Sequence, residues 1–172
     1  KHSCGSPDES PLPDETAQAL VNRLALAKAN AVAATLSDGL VIGSDQVAVF
    51  QGEILGKPHT VANAEAQLKR FSGQAVTFLT GLAVVNAATG KVQQAIDPFV
   101  VHFRELSDAE IRHYVAREQP LDCAGSFKSE GLGIALFDKL QGDDPNSLIG
   151  LPVIRLLAML RHEGLNLLLQ NQ

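Results

Sequence analysis

An acid and a lysine near the first apolar segments are the most informative chemical groups in this sequence. The segment 40–43 leads to Asp45, and Lys57 follows between Gly56 and Pro58. A strand that ends at Gly43 would place Asp45 at the carboxyl edge of a sheet, where α/β proteins bind ligands. There the acid can hold a metal ion or water, while the lysine neutralises phosphate charge. The pattern predicts a site for a metal-bound phosphate ester. The alternatives are a turn aspartate and a solvated turn lysine.

Lys28 is a third candidate because it lies beside the apolar stripe of the first predicted helix. A lysine head in that position must reach water, an acid or a ligand. The stripe consists of apolar residues at three- and four-residue spacing: Leu20, Val21, Leu24, Ala27 and Ala31.

A glycine-flanked loop at 125–131 is the second candidate region, with Ser126, Phe127 and Lys128 as a candidate substrate loop. Glycines at both ends let the backbone approach a ligand closely. Phe127 either stacks on a planar ring or packs in the core. Glu130 accepts hydrogen bonds when it is ionised, so it suits the N1–H and exocyclic amine of guanine. The alternative for Glu130 is a surface acid in a loop.

A third region, 143–152, precedes the last predicted helix. Asp143, Asp144 and Asn146 could help to hold a metal or meet a nucleotide through backbone amides. A capped loop explains the same residues equally well.

The spacing of residues argues against several common kinds of site. The histidines form no HxxxH or HxH pair, and the chain has no GxSxG segment, P-loop or dinucleotide fingerprint. Cys4 and Cys123 form no CxxC or zinc spacing. They are expected to be free thiols in a reducing cytoplasm, with one disulfide as the alternative.

Composition favours a soluble globular protein. The chain has 172 residues, of which 45% are hydrophobic and 19% charged, and its net charge is −5. An acidic chain without a basic cluster is a poor candidate for binding a nucleic-acid polymer. No apolar run reaches the ~18 residues of a membrane helix, and no signal-peptide pattern is present.

The elements that must position these groups are predicted from apolar periodicity, caps and turn residues. Strands and helices mix without strict alternation, so we expect an α/β (mixed α+β) fold, with a mixed sheet and flanking helices, in a single domain over 1–172. The predicted helices are 14–34 with Asp14 as cap, 60–71, 107–118 and 152–162; the predicted strands are 40–43, 47–50, 75–86, 92–103 and 134–137, with a hairpin turn at 51–52.

Taken together and in this order, these segments resemble the Maf family of nucleotide pyrophosphatases. Each segment is weak alone, but jointly they are specific and cover nearly the whole chain. The matching segments are 8–9, 24–29, 42–46, 56–58, 78–81, 124–131 and 150–152.

The resemblance implies a two-lobed mixed α/β fold, similar to the inosine-triphosphate pyrophosphatases, with a cleft between the lobes. It implies hydrolysis of a nucleoside triphosphate to the monophosphate and diphosphate, with Mg²⁺ or Mn²⁺. By motif position, the resemblance implies that Asp45 is the proton acceptor and that Glu9, Lys28 and Lys57 share its site. Asp45 and Glu9 are the candidate ligands of the metal.

Gln46 and Glu130 are implied as the positions that set base specificity. Together with the Lys-Ser-Glu segment at 128–130, they are similar to the branch that hydrolyses 7-methyl-GTP. The dTTP/UTP branch typically has glutamine at the position of Glu130. A homodimer is common in the family, and the sequence leaves the oligomeric state open.

Two departures from the family pattern concern the start of the chain. The family opens with a strand and a Ser/Thr-rich loop that carries paired arginines or a close variant. It usually also has extra residues between the proline and the Asp-Glu pair. This sequence starts at Lys1 without that opening, and Pro7 directly precedes Asp8. We therefore expect further N-terminal residues.

The alternatives for function are a pyrophosphatase for other nucleotides (dTTP/UTP or other altered bases), a nonenzymatic nucleotide-binding regulator of cell division, and a structural α/β module.

Overall fold

A computed structural model describes residues 8–169, so Cys4 lies outside the described residues. The helices are α1 (Ala17–Ala33), α2 (Val61–Phe71), α3 (Asp108–Glu118), α4 (Asn146–Ile149) and α5 (Val153–His162), with 3₁₀ turns at Ala124–Ser126 and Leu132–Leu136. The strands are β1 (Leu40–Phe50), β2 (Glu53–Leu55), β3 (Ala75–Asn86), β4 (Val92–Phe103) and β5 (Phe137–Gly142). None of these helices is long and apolar enough to cross a membrane.

The strands form one sheet in the order β2-β1-β3-β4-β5, which confirms the predicted α/β architecture. β2 pairs with β1 and β5 pairs with β4, both antiparallel. The β1–β2 hairpin closes at the Phe50–Glu53 pair, so its turn is Gln51-Gly52, as predicted. Both turn residues have positive φ, which is the signature of a type I′ turn.

The chain divides into two compact units, as expected for the two lobes that the resemblance implies. Unit 1 comprises residues 1–45, 80–97 and 150–172, and unit 2 comprises 46–79 and 98–149. The predicted cleft and the single domain over 1–172 stay predictions.

Unit 1 has apolar layers on both faces of β3, which explains the continuous apolar run of that strand. Ala83 and Val85 belong to the cluster that contains Ala25 and Ala29 of α1. The alternating residues Leu82 and Val84 pack with three residues of α5, Leu156, Met159 and Leu160. Because side chains alternate along a strand, a strand covered on both faces is apolar at every position.

Unit 2 has a separate core rich in phenylalanine. Phe71 lies with its ring centroid 5.4 Å from that of Phe50 and 5.3 Å from that of Phe103. The same cluster includes buried residues of α2, β3, β4 and α3.

Three local predictions were wrong. β1 does not end at Gly43 but runs through Asp45 to Phe50, because polar side chains on a half-buried strand need not interrupt its backbone ladder. Thr16, not Asp14, caps α1: its side chain accepts a hydrogen bond from the Ala19 N–H, and Asp14 adopts φ 59°. Residues 134–136 are in a 3₁₀ turn rather than a strand, since Gly131 and Gly133 both donate to the Lys128 carbonyl and wind the chain tightly.

The other predicted elements were confirmed, and two of them begin at predicted caps. Thr60 caps α2 by accepting from the Asn63 N–H, and Ser107 forms a complete capping box with Glu110 at the start of α3. These caps depend on residues only three positions apart, which explains why the sequence predicted them.

The capping box makes a prediction about acid stability. The Ser107 backbone N–H, followed by Arg104, lowers the pKa of Glu110 to about 2. A lowered pKa in the folded state adds stability above the unfolded pKa of ~4.3, and this is lost as pH falls toward the folded value. We expect Glu110→Gln to lower the melting temperature at pH 7 and to flatten its decline between pH 5 and pH 2.5.

Calorimetry at a series of pH values checks this expectation, with Glu105→Gln as the control for loss of a nearby exposed carboxylate. Parallel pH profiles for the wild type and Glu110→Gln would contradict it.

Candidate active site

Three of the residues singled out from the sequence meet in unit 1. The Lys28 ammonium lies 2.7 Å from Asp45 Oδ1 and 2.7 Å from Glu9 Oε1. The Asp45 side chain is 10% exposed, that of Lys28 32% and that of Glu9 47%. We call Glu9, Lys28 and Asp45 the carboxylate–lysine cluster. Its members come from the segment before α1, from α1 itself and from β1.

A close approach of α1 to β1 brings the cluster together. A Cβ atom on Gly43 would overlap the Ala25 carbonyl oxygen and crowd Ala29, so only glycine lets the helix lie this near. Residues 43 and 45 share one face of the strand. Asp45 therefore points toward the same helix and reaches Lys28, one helical turn from Ala25.

The charge of Lys28 is maintained by its two partners. Partial burial by itself lowers the pKa of the ammonium, but hydrogen bonds and charge attraction from Asp45 and Glu9 outweigh burial, so the pKa is raised. Lys28 is thus protonated at neutral pH. This ammonium attracts both carboxylates and so offsets part of the repulsion between their two negative charges.

The same two carboxylates are the groups that could hold a divalent cation. Their oxygens both lie 2.7 Å from one nitrogen, so they are at most twice that distance apart. Mg²⁺ is usually held by one or two carboxylates, with water and substrate phosphates completing its shell. Residues 8–169 contain no group of three or more His, Cys, Asp or Glu side chains suited to a metal. The donor set therefore fits a cation shared with a phosphate substrate.

A second group of predicted residues acts electrostatically on Cys123 in unit 2. Partial burial raises the pKa of this free thiol, and the charges of Lys128, Glu130 and Lys57 also act on it. Lys57, which is remote in sequence from Lys128 and Glu130, therefore lies within electrostatic reach of the same sulfur atom as those two residues. Lys57 and Glu130 are both exposed.

Ser126 and Phe127 face the interior of unit 2. Ser126 is fully buried and its hydroxyl donates to Gln67 Oε1 at 2.6 Å. Phe127 is 5% exposed, and its ring centroid lies 4.9 Å from that of Phe137 and 5.2 Å from that of Phe78. Phe127 therefore packs in the core, which was the alternative to stacking on a ligand. Its ring contacts other phenylalanine side chains.

Lys128 connects the glycine-flanked loop at 125–131, which we call the glycine loop, to α3 through two hydrogen bonds. Its backbone N–H donates to the Tyr114 hydroxyl at 2.9 Å, and its ammonium donates to the Glu118 carbonyl at 2.9 Å. Burial raises the pKa of Tyr114 to about 12, so the hydroxyl stays protonated. Glu130 follows on this fastened loop with its side chain exposed to solvent.

Gln46 and the segment around Asp144 meet near α4 in unit 2. The Gln46 amide donates to the Ser147 carbonyl at 2.7 Å. Asp144 is 1% exposed and accepts from the backbone and side-chain amides of Asn146 at 2.9 and 2.8 Å. These bonds match the capped-loop alternative for this region. The role of Gln46 in specificity stays a prediction.

Sequence reasoning missed Glu15, Arg23 and Tyr114. Glu15 and Arg23 form an ion pair at 2.7 Å, and Tyr114 holds the glycine loop. None of them belongs to a short motif. For Glu15 and Arg23 the sequence offered no signal. Tyr114 could have been noticed because it is the only tyrosine in the sequence.

Comparisons with known proteins agree with the sequence resemblance. The family model for Maf-like proteins matches residues 4–163. A protein of Colwellia psychrerythraea named 7-methyl-GTP pyrophosphatase is 53% identical over 167 residues, which cover 96% of this chain and 84% of the relative. The matched region contains the carboxylate–lysine cluster and the glycine loop. The chain therefore belongs to the family of Maf-like proteins.

Proposed function

We propose that this protein hydrolyses 7-methyl-GTP to the monophosphate and diphosphate. The observation that carries the proposal is the convergence of Glu9 and Asp45 on Lys28, in a chain 53% identical to a relative named for that activity. Gln46 and Glu130 stand at the specificity positions of the 7-methyl-GTP branch. A cytoplasmic location and a homodimer are further parts of the proposal that rest on the resemblance.

In this mechanism Asp45 accepts a proton from the water that attacks the α-phosphorus, and diphosphate leaves. Lys28 and Lys57 stabilise negative charge on the phosphates, which is usually the dominant contribution in phosphoryl transfer. A Mg²⁺ or Mn²⁺ ion held by Asp45 and Glu9 would add charge neutralisation at the phosphates. Lys28 keeps both carboxylates in place before substrate arrives.

A panel of nucleoside triphosphates tests the proposal. We expect diphosphate release to be fastest with 7-methyl-GTP and slower with GTP, dTTP and UTP, in the presence of Mg²⁺ or Mn²⁺. A preference for dTTP or UTP would assign the protein to other nucleotides. Nucleotide binding without diphosphate release would favour the nonenzymatic alternative.

The role of Glu130 makes a separate prediction. An ionised carboxylate offers two acceptors and a negative charge to the cationic methylated base, whereas glutamine offers one acceptor and no charge. We expect Glu130→Gln to lower the ratio of kcat/KM for 7-methyl-GTP over GTP about 10-fold, the effect of one charged hydrogen bond. Steady-state kinetics on both substrates measure this ratio.

Asp138→Asn is the matched control, since it removes one exposed carboxylate from β5 in the same unit. If Glu130→Gln leaves the ratio unchanged, the base is read by other residues.

A further inference from the structure

The segment that carries Glu9 is held by one arginine of α1. Arg23 Nε donates to Glu15 Oε1 at 2.7 Å, and Arg23 Nη2 donates to Glu15 Oε2 at 2.9 Å. The same Nη2 also donates to the Ser10 carbonyl at 3.1 Å. One guanidinium thus binds both ends of a short segment that has Glu9 next to its first contact.

Hydrogen bonds inside the segment complete this arrangement. The Leu12 N–H donates to Glu15 Oε2 at 2.9 Å, and the Glu15 N–H donates to the Leu12 carbonyl at 3.1 Å. The Ser10 N–H donates to Asp8 Oδ1 at 3.0 Å. Glu15 therefore accepts from both the guanidinium and the backbone, and its side chain is only 8% exposed.

Apolar packing contributes little to holding this segment. Every residue from 8 to 14 is exposed, including Leu12 at 54%. A segment with few buried apolar contacts opens easily unless polar contacts hold it. The bonds from Arg23, together with the contact of Glu9 with Lys28, therefore tie the segment to the helix.

Both links start from the same rigid element. Arg23 and Lys28 are on α1, so the helix fixes the distance between the guanidinium that holds Ser10 and the ammonium that meets Glu9. A lysine at position 23 could not reproduce this, because only the planar guanidinium binds a carboxylate with two parallel bonds.

We propose that Arg23, together with Glu15, is a positioning residue for the proposed hydrolysis: it holds the 8–15 segment so that the Glu9 carboxylate stays on Lys28, beside Asp45. Arg23 acts through Glu9 and does not itself take part in the reaction. This inference rests on the proposed function for its effect on turnover, but the holding of the segment can be measured without substrate.

A double-mutant cycle tests the coupling. We expect Arg23→Met to lower kcat for 7-methyl-GTP about 10-fold or more, as is typical when a group that orients a ligand is removed. In a Glu9→Gln background the same substitution should cost less than about twofold, because Glu9 is the group through which Arg23 acts. Equal losses in both backgrounds would overturn the inference and show a general structural effect. Arg23→Lys should resemble Arg23→Met.

Amide hydrogen exchange gives the readout that is independent of activity. Exchange of the peptide 8–15 should become faster in Arg23→Met and Glu15→Gln, while Arg70→Met serves as the matched control. Arg70 pairs with Glu53 at 2.6 Å in unit 2, so its loss should leave this peptide unchanged.

Unchanged exchange of peptide 8–15 in Arg23→Met would overturn the inference whatever the kinetics show. If the wild type hydrolyses no triphosphate, the proposed function is wrong, and the predicted effect of Arg23→Met on kcat is wrong as well. The exchange result then still decides whether Arg23 holds the segment.

Discussion

Replacing Asp45 by asparagine is expected to lower kcat for 7-methyl-GTP at least about 100-fold, the usual loss when a general base is removed. The amide keeps the size of the carboxylate and can still accept a hydrogen bond from Lys28. It cannot take a proton from water, and it is a much weaker cation ligand. The fold should therefore persist while turnover is lost.

The measurement is steady-state diphosphate release, combined with thermal unfolding to verify that the variant is folded. Asp138→Asn is the control, since it makes the same chemical change on an exposed position of β5. A rate for Asp45→Asn within a few-fold of the wild type would end the assignment of Asp45 as proton acceptor.

The second large effect is expected at the contact between α1 and the sheet. A Cβ atom at Gly43 would overlap the Ala25 carbonyl oxygen, and one at Gly81 would overlap the Val21 carbonyl oxygen. In both cases the obstacle is helix backbone, which cannot rotate away as a side chain can. We expect Gly43→Ala and Gly81→Ala each to lower the free energy of unfolding by about 1–3 kcal/mol or more, the usual cost of overpacking.

These two variants should also lose activity, because any shift of α1 moves Lys28 relative to Asp45. Displacements of about 1 Å at a catalytic group can cost as much as 100-fold in rate. Chemical denaturation and kinetics measure the two effects. Gly56→Ala is the control for stability, since a Cβ there meets no atom within 4 Å. If Gly43→Ala is as stable as Gly56→Ala, the helix is less tightly placed than the structure indicates.

Local sequence signals predicted most of the elements. α2 and α3 start at the predicted caps, β3 and β4 have the predicted bounds, and the two-residue turn after β1 is where Gln51-Gly52 indicated. Each of these features depends on residues within a few positions of one another or on apolar periodicity within one segment. Asp45 and Lys28 were also chosen from local context, and the structure brings them together.

Other features could not be derived from the neighbouring residues. The sequence suggested a strand that ends before Asp45, but pairing with other strands carries β1 through to Phe50. The aromatic neighbours of Phe127 come from β3, β4 and β5, so the choice between ligand stacking and core packing depended on the assembled core.

By itself, the sequence determined the family resemblance, the caps of α2 and α3 and the Gln51-Gly52 turn, and it supplied the candidate groups for binding phosphate. Only the tertiary structure decided that Glu9 and Asp45 share the ammonium of Lys28, and that Arg23 holds the segment that bears Glu9. The physical reason is that the contact of Lys28 with Asp45 is set by how closely α1 packs on the sheet at Gly43 and Gly81, and the contacts of Glu9 and Ser10 by how the segment before α1 folds back on the helix. That packing distance depends on residues far apart in the chain, whereas caps and turns are fixed by their immediate neighbours.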